Sequence, residues 1–204
     1  MTPVVLASGN AGKLRELEAL LAPLGLTVAA QGAFGIESPS ETGNTFLANA
    51  LLKATHAAGI ARRPALADDS GIEVDALQGR PGIYSARYAG EGSSDRDNLE
   101  KMLRELQNVP LAKRTARYQC VIVLVSDPND PRPVVAQGTW EGRIALQPRG
   151  SGGFGYDPIF LPEGIPERTA AELSAAEKNA ISHRGKALRA LVEKLTVSGG
   201  RAAG

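Results

Sequence analysis

Short apolar runs alternate with stretches of helical apolar spacing along the first third of this 204-residue chain. Residues 4–7 are typical of a buried strand, whereas the leucines within residues 13–24 recur every three or four positions, which indicates a helix that Gly25 is placed to cap. Two long strand candidates, 114–126 and 134–146, have a short connection and are expected to pair antiparallel. This succession predicts an α/β protein with a mixed sheet flanked by helices.

The remaining segments complete that arrangement. We expect strands at 26–30, at 64–67 with a resumption at 72–74, and at 159–161, and helices at 45–61, 94–107 and about 177–195. A chain of this length suits one domain, with or without two lobes. We therefore predict a single two-lobed domain over residues 1–197 and a flexible tail at 198–204.

The composition of the chain argues against several classes of protein. The net charge is only +1, so there is no electrostatic case for a nucleic-acid partner. The apolar run at 120–125 is far shorter than a membrane span of about 20 residues. One cysteine, Cys120, permits no internal disulfide, and residues 1–5 lack the pattern of a signal peptide. These features lead us to expect a cytoplasmic protein without a membrane partner.

A glycine-containing turn, Ser8-Gly9-Asn10-Ala11-Gly12-Lys13, connects the first strand to the first helix. Helix N-termini present unpaired N–H groups and a positive dipole end, which favour phosphate, and Lys13 adds a full charge. Leu14 stands where a Walker A loop needs Ser or Thr. The turn is therefore either an anion site or an ordinary strand–turn–helix corner.

Two adjacent carboxylates, Asp68 and Asp69, follow an apolar strand and precede Ser70-Gly71. Neighbouring strand residues point to opposite faces, so the two converge only if the strand ends there. Carboxylates at a strand end suit Mg²⁺ or the deprotonation of a water, but a turn-capping role is also open. Glu41 is either a cap or another metal ligand, and Lys53 has the pattern of a solvated helix lysine.

The glycine-rich segment 150–155 matches G-x-G-x-x-G, but a turn and a strand follow it where a dinucleotide site needs a helix. What remains is a loop with two of the few aromatic residues, Phe154 and Tyr156, and a carboxylate, Asp157. Aromatic faces stack on bases, and a carboxylate accepts from a base N–H. His183 lies near the start of the last predicted helix, where a cap or surface role is the ordinary one.

Taken in chain order, these blocks resemble the inosine triphosphate pyrophosphatase family (dITP/XTP pyrophosphatases). The resemblance covers roughly residues 3–195. The blocks that carry it are Ser8-Gly9-Asn10 with Lys13, Glu41-Thr42-Gly43, Asn49-Ala50, Lys53-Ala54, Ala67-Asp68-Asp69-Ser70-Gly71, Gly153-Phe154-Gly155-Tyr156-Asp157-Pro158, Glu177-Lys178 and Ser182-His183-Arg184.

The resemblance implies an elongated two-lobed α/β fold around a long mixed β-sheet flanked by helices, with an active-site cleft between the lobes, as a homodimer. It implies Mg²⁺-dependent hydrolysis of the deaminated purine nucleoside triphosphates ITP, dITP and XTP to monophosphate and pyrophosphate, which cleanses the nucleotide pool. The catalytic residues it implies are Asp69 as proton acceptor, with Asp68, Lys13 and Lys53.

The resemblance also implies the binding residues. Glu41 and Asp69 would hold Mg²⁺, and the nucleotide would contact Ser8, Gly9, Asn10, Ala11, Gly12, Lys13, Ser70, Phe154, Gly155, Tyr156, Asp157, Lys178, His183 and Arg184. One position departs from the pattern, because Ala48 stands where the family usually has Glu. That departure keeps open a nucleotide-binding regulator without turnover, whereas the near-zero net charge argues against a nucleic-acid-binding module.

Overall fold

A computed structural model describes residues 3–21 and 27–200, with side chains in the last helix as far as residue 196. The strands are β1 (Val4–Leu6), β2 (Val28–Ala30), β3 (Ala65–Val74), β4 (Thr115–Val125), β5 (Val134–Ile144) and β6 (Phe160–Pro162). The helices are α1 (Ala11–Leu21), α2 (Phe46–Ala61), α3 (Asp95–Glu105), α4 (Ala175–Ile181) and α5 (His183–Gly200).

Within the described residues the strands form one six-stranded sheet in the order β2-β1-β3-β4-β5-β6. β1 pairs in parallel with β2 and β3, whereas β5 and β6 are antiparallel. The Ile144 N–H donates to the Arg114 carbonyl at 2.9 Å, which joins the end of β5 to the start of β4, as the predicted hairpin requires. The predicted α/β class, with a mixed sheet and flanking helices, is confirmed.

Three boundaries differ from the prediction. β3 runs without interruption through Asp68-Asp69-Ser70-Gly71, so the acidic pair lies inside a strand and not at its end. The last predicted helix is two helices, because Ser182 adopts an extended conformation (φ −68°, ψ 161°) between α4 and α5. α5 continues to Gly200, five residues past the predicted helix end at about 195, and residues 201–204, like Leu24 and Gly25, lie outside the described residues.

The chain divides into two compact units. The first comprises Met1–Asp69, Cys120–Gly138 and Arg184–Gly204, and the second comprises Ser70–Gln119 and Thr139–His183. In the part of the chain that the structure describes, no helix has the length and apolar character needed to cross a bilayer.

In the first unit, helices pack on both faces of the strands. The alanine stripe of α2, formed by Ala50, Ala54 and Ala57, is fully buried against small residues of β1, β3 and β4. The opposite face packs leucines of α1 and α5 against β1 and β4, and Cys120 is buried in the same cluster. Small residues on α2 allow a close approach of helix and sheet, which positions polar side chains of α2 near β3.

The second unit has one aromatic-rich core. Ile72 and Val74 of β3, Met102 of α3 and the Phe160 ring are completely buried, and Trp140 is nearly so. The N-terminus of α3 carries a capping box in which Ser94 and Asp97 satisfy each other's backbone N–H groups. This core and the capped start of α3 stabilise the unit that carries the segment between β5 and α4.

Candidate active site

The two adjacent carboxylates of β3 point to opposite faces of the sheet, because a strand alternates its side chains. Asp68 lies on the same face of β3 as Leu66, which packs with α1 and α5. Asp69 lies on the same face as Ala67, which packs with α2. Both side chains are buried, with 1% and 5% of their residue surface exposed. The carboxylates therefore meet different partners.

Asp68 is held by two cations. Lys13 Nζ lies 3.3 Å and Arg184 Nη2 lies 3.1 Å from Asp68 Oδ2, and Arg184 also binds Glu16 of α1. Burial opposes ionisation of Asp68, but Lys13 and Arg184 outweigh it and hold its pKa well below the usual range. Asp68 Oδ1 is buried and has no hydrogen-bond partner among the described residues. Asp68 is thus held in its charged form, and only its Oδ2 atom contacts the two cations.

Asp69 shares a lysine with Glu41. Lys53 Nζ, buried on α2, lies 2.8 Å from Asp69 Oδ1 and 2.8 Å from Glu41 Oε1. Burial raises the pKa of Asp69 above its ordinary value, and Lys53 and Lys13 offset only part of that effect. Burial by itself would lower the pKa of Lys53. Asp69 and the other carboxylates more than offset this effect, so the pKa lies above its ordinary value and the amine stays charged. A carboxylate with a raised pKa is a better proton acceptor than an ordinary one.

The predicted strand–turn–helix corner begins α1 directly beside this cluster. Asn10 Oδ1 accepts from the Lys13 backbone N–H at 3.0 Å and Ser8 Oγ accepts from the Asn10 N–H at 3.2 Å, so the turn is fixed by its own side chains. Gly9, Asn10 and Ala11 are exposed, whereas Gly12 is buried. The turn that enters α1, residues 9–11, is therefore exposed to solvent, and Lys13 follows it in the first turn of the helix.

The predicted base-binding loop lies in the second unit and is built around Asp157. Its Oδ2 accepts from the Phe154 N–H at 2.9 Å and from Lys178 Nζ at 2.6 Å, and both members of that ion pair are buried. The Lys178 ammonium also lies 4.8 Å from the centre of the Phe154 ring. Tyr156 is buried and donates from its hydroxyl to the Ser85 carbonyl at 2.8 Å.

Two adjacent predicted site residues at the start of α5, His183 and Arg184, belong to different compact units. His183 belongs to the second unit and stacks on Tyr118, with ring centres 4.6 Å apart and an interplanar angle of 6°. Arg184 belongs to the first unit, where its guanidinium is only 1% exposed and binds Asp68 and Glu16. Ser70, half-buried on β3, is the first residue of the second unit.

Comparison with known proteins identifies the family. A model of the Ham1 family matches residues 4–194. The chain belongs to the Ham1 family. A dITP/XTP pyrophosphatase of Yersinia pseudotuberculosis is 56% identical over 195 residues, which cover 96% of this chain and 98% of the relative. One from Thioalkalivibrio sulfidiphilus is 57% identical over 193 residues, covering 94% and 97%.

Solved structures of this family agree with the fold. A HAM1 protein from Coxiella burnetii matches with a TM-score of 0.86 at 48% identity, covering 96% of this chain and 99% of that one. The Ham1 protein of Staphylococcus aureus matches with a TM-score of 0.82 at 41% identity, covering 97% and 100%. The predicted resemblance to the dITP/XTP pyrophosphatases is confirmed.

Two polar residues of this Ham1 chain contact the cluster but were not predicted as site residues. Asn49 is fully buried on α2, where its Oδ1 accepts from the Gly43 N–H at 2.8 Å and its Nδ2 lies 3.4 Å from Asp69 Oδ2. The sequence feature that could have indicated Asn49 is its position beside the alanine stripe of α2, four residues before Lys53. Glu16 binds Arg184, and its three-residue spacing from Lys13 on α1 is the one sequence feature that could have indicated a place in the site.

The donor set of the Ham1 chain is suited to a divalent cation at Glu41 and Asp69. Their oxygens already converge on one positive charge, the Lys53 ammonium, and oxygen ligands are those that Mg²⁺ prefers. Ala48, in the first turn of α2, contributes no carboxylate. Within the described residues no cluster of three or more His, Cys, Asp or Glu side chains is placed to bind a metal, so water and phosphate oxygens would have to complete the coordination.

Proposed function

We propose that this Ham1 protein is a nucleoside triphosphate pyrophosphatase that hydrolyses deaminated purine nucleoside triphosphates to the monophosphate and pyrophosphate. The observation that carries the proposal is the convergence of Asp69 and Glu41 on Lys53, with Lys13 at the mouth of α1. The printed names of relatives that are 56–57% identical, the dITP/XTP pyrophosphatases, support the same substrate class.

The first unit would hold the triphosphate. The exposed turn at residues 9–11, where α1 begins, would offer backbone N–H groups to phosphate oxygens, and Lys13 adds charge there. Cleavage at the α-phosphorus places negative charge on the departing pyrophosphate. Lys13 and Lys53 would stabilise that charge as it develops, because both ammonium groups are already fixed by carboxylates and need little reorganisation.

Asp69 would accept the proton of the attacking water. Its buried carboxylate, held in place by Lys53 at 2.8 Å, suits it to this role, whereas Asp68, held by Lys13 and Arg184, is suited to fixing the positions of those two cations. Asn49 would orient the Asp69 carboxylate. In this proposal Arg184 holds Asp68, in place of the nucleotide contact that the family resemblance implied.

Mg²⁺ is the metal we propose for Glu41 and Asp69. When bound, it would supply charge neutralisation and polarisation of the phosphoryl oxygens. Lys53 contacts both carboxylates and would balance their charge before the metal and substrate arrive.

For the base we propose the second-unit residues Phe154, Tyr156, Asp157, Lys178 and His183. Phe154 is half-buried and its ring offers a stacking face, while His183 and Lys178 offer donors. A 6-oxo group of inosine or xanthosine accepts from such donors, but the 6-amino group of adenine does not. Leaving a donor unpaired in a closed site costs about 1–3 kcal/mol, which would favour the deaminated bases over adenine.

The test is a panel of ITP, dITP, XTP and ATP, assayed with Mg²⁺ and with a chelator, in which monophosphate and pyrophosphate are both measured. We expect Asp69→Asn to lower pyrophosphate release from ITP by about 10²- to 10⁴-fold, the contribution of a positioned general base, with an unchanged circular dichroism spectrum. Asp127→Asn, in the exposed β4–β5 loop, is the matched control and should retain full turnover. Retained turnover in Asp69→Asn would overturn the assigned role.

A further inference from the structure

The loop that carries Phe154 and Tyr156 is tied down on both sides of one glycine. On one side the Phe154 N–H donates to Asp157, and on the other the Tyr156 hydroxyl donates to the Ser85 carbonyl. Gly155 lies between them with φ +61°, a conformation that glycine adopts without strain. The loop therefore has a defined shape, and the orientation of the Gly155 peptide decides how Phe154 is presented.

The Gly155 peptide is held from outside the loop. Its N–H donates to Asp95 Oδ2 at 2.7 Å, across 60 positions of sequence. Such a hydrogen bond to an ionised carboxylate is stronger than one between neutral groups. Both residues belong to the second unit, so the contact lies within one compact body.

Asp95 is not needed to cap the helix on which it stands. The N-terminus of α3 is already capped by Ser94 and Asp97, whose side chains accept from each other's backbone N–H groups. The Asp95 side chain is exposed, yet its carboxylate reaches Gly155 at a short distance. A first-turn acidic residue interacts favourably with the helix dipole, but that effect does not require contact with a distant loop.

We propose that Asp95 is a positioning residue for the nucleotide base: its carboxylate fixes the Gly155 peptide and thereby holds the Phe154 ring in the orientation that stacks on the base. This inference rests on the proposed function, because it needs the loop to bind a purine. Asp95 touches neither the phosphates nor the reacting atoms in this scheme, so its loss should weaken substrate binding and leave the chemical step unchanged.

The experiment compares Asp95→Ala, Asp95→Asn and the control Asp97→Ala in the full chain. We expect Asp95→Ala to raise KM for ITP by about 5- to 10-fold with kcat unchanged, the factor expected of one charge-assisted hydrogen bond. Inhibition by IMP should weaken by a similar factor, whereas inhibition by inorganic tripolyphosphate, which has no base, should not change. Asp95→Asn retains an acceptor oxygen and should recover most of the loss.

Asp97→Ala removes one half of the capping box of the same helix, so it should lower the melting temperature at least as much as Asp95→Ala without raising KM. Amide exchange of Gly155 should become faster only in Asp95→Ala. An unchanged KM in Asp95→Ala beside normal wild-type turnover would overturn the role of Asp95 alone. An equal rise in KM in Asp97→Ala would also overturn it, since helix stability would then explain the effect. Absence of ITP turnover in the wild type would overturn the proposed function and this role with it.

Discussion

Replacing Arg184 by Met tests whether the buried charges of the first unit stabilise the fold as a set. Methionine keeps most of the apolar volume of the arginine stem and removes the guanidinium. Asp68 then keeps Lys13 but loses the guanidinium, and Glu16 loses its contact with Arg184, at sites where the side chains are 0% and 14% exposed. Removing one member of a buried ion pair typically costs about 3–5 kcal/mol, because the other charge stays buried without compensation.

The size of that loss is a large share of the stability of an ordinary domain, which is about 5–15 kcal/mol. Urea denaturation followed by far-ultraviolet circular dichroism measures it directly. The matched control is Arg96→Met on α3, whose side chain is 86% exposed and whose ion pair with Glu100 spans one helical turn. That change should cost less than about 0.5 kcal/mol.

Two further measurements separate charge from packing. The double variant Asp68→Asn with Arg184→Met removes the buried carboxylate that has lost its guanidinium, and should recover part of the lost stability. In acid, the difference between wild type and Arg184→Met should shrink. Arg184 helps to hold the pKa of Asp68 below its ordinary 3.8, so the stability it contributes is present above that pH and is lost below it. A loss under about 1 kcal/mol in Arg184→Met, or no recovery in the double variant, would refute the reasoning.

Two other predictions concern packing. A Cβ at Gly142 of β5 would collide with the Leu161 carbonyl and the Phe160 ring, so Gly142→Ala should lower the free energy of unfolding by about 1–3 kcal/mol in urea denaturation. Gly32 has open space around it, so Gly32→Ala should be near neutral. Equal effects of the two substitutions would contradict this account. Cys120 is 1% exposed and burial raises its pKa to about 12, so a thiol reagent at pH 8.5 should modify it only after denaturation, and rapid labelling of the folded protein would show that the site opens.

Apolar periodicity predicted most elements because those elements are stabilised by the same pattern. The stripe of Ala50, Ala54 and Ala57 is the buried face of α2, and the predicted strand pair 114–126 and 134–146 is β4 and β5 within two residues at each end. Periodicity carries no information about Lys53, since a helix lysine is ordinarily solvated. Its burial follows from two carboxylates supplied by other segments, and only the family resemblance predicted its place in the site.

Other features were wrong or missed because tertiary structure overrides local signals. Ser70-Gly71 has the composition of a turn, but β3 continues through it as a strand of the sheet, with β4 as its neighbour, and sheet pairing outweighs the local turn signal. Ser182 interrupts an apolar pattern that reads as one helix. Serine is a frequent N-cap residue, and its extended backbone there ends α4 and begins α5. The contact from Asp95 to Gly155 spans too much sequence for any local pattern to reveal.

The uninterrupted course of β3 explains how two adjacent aspartates acquire different properties. Had the strand ended after Ala67, both carboxylates could have turned toward one ligand. Because the strand continues, Asp68 faces α1 and α5 and meets Lys13 and Arg184, whereas Asp69 faces α2 and meets Lys53. Two cations depress the pKa of one, while burial raises the pKa of the other. A single strand thus separates a fixed countercharge from a titratable acceptor, and exchanging their surroundings would require a one-residue shift in the register of β3, which would also turn its buried apolar side chains to the wrong faces.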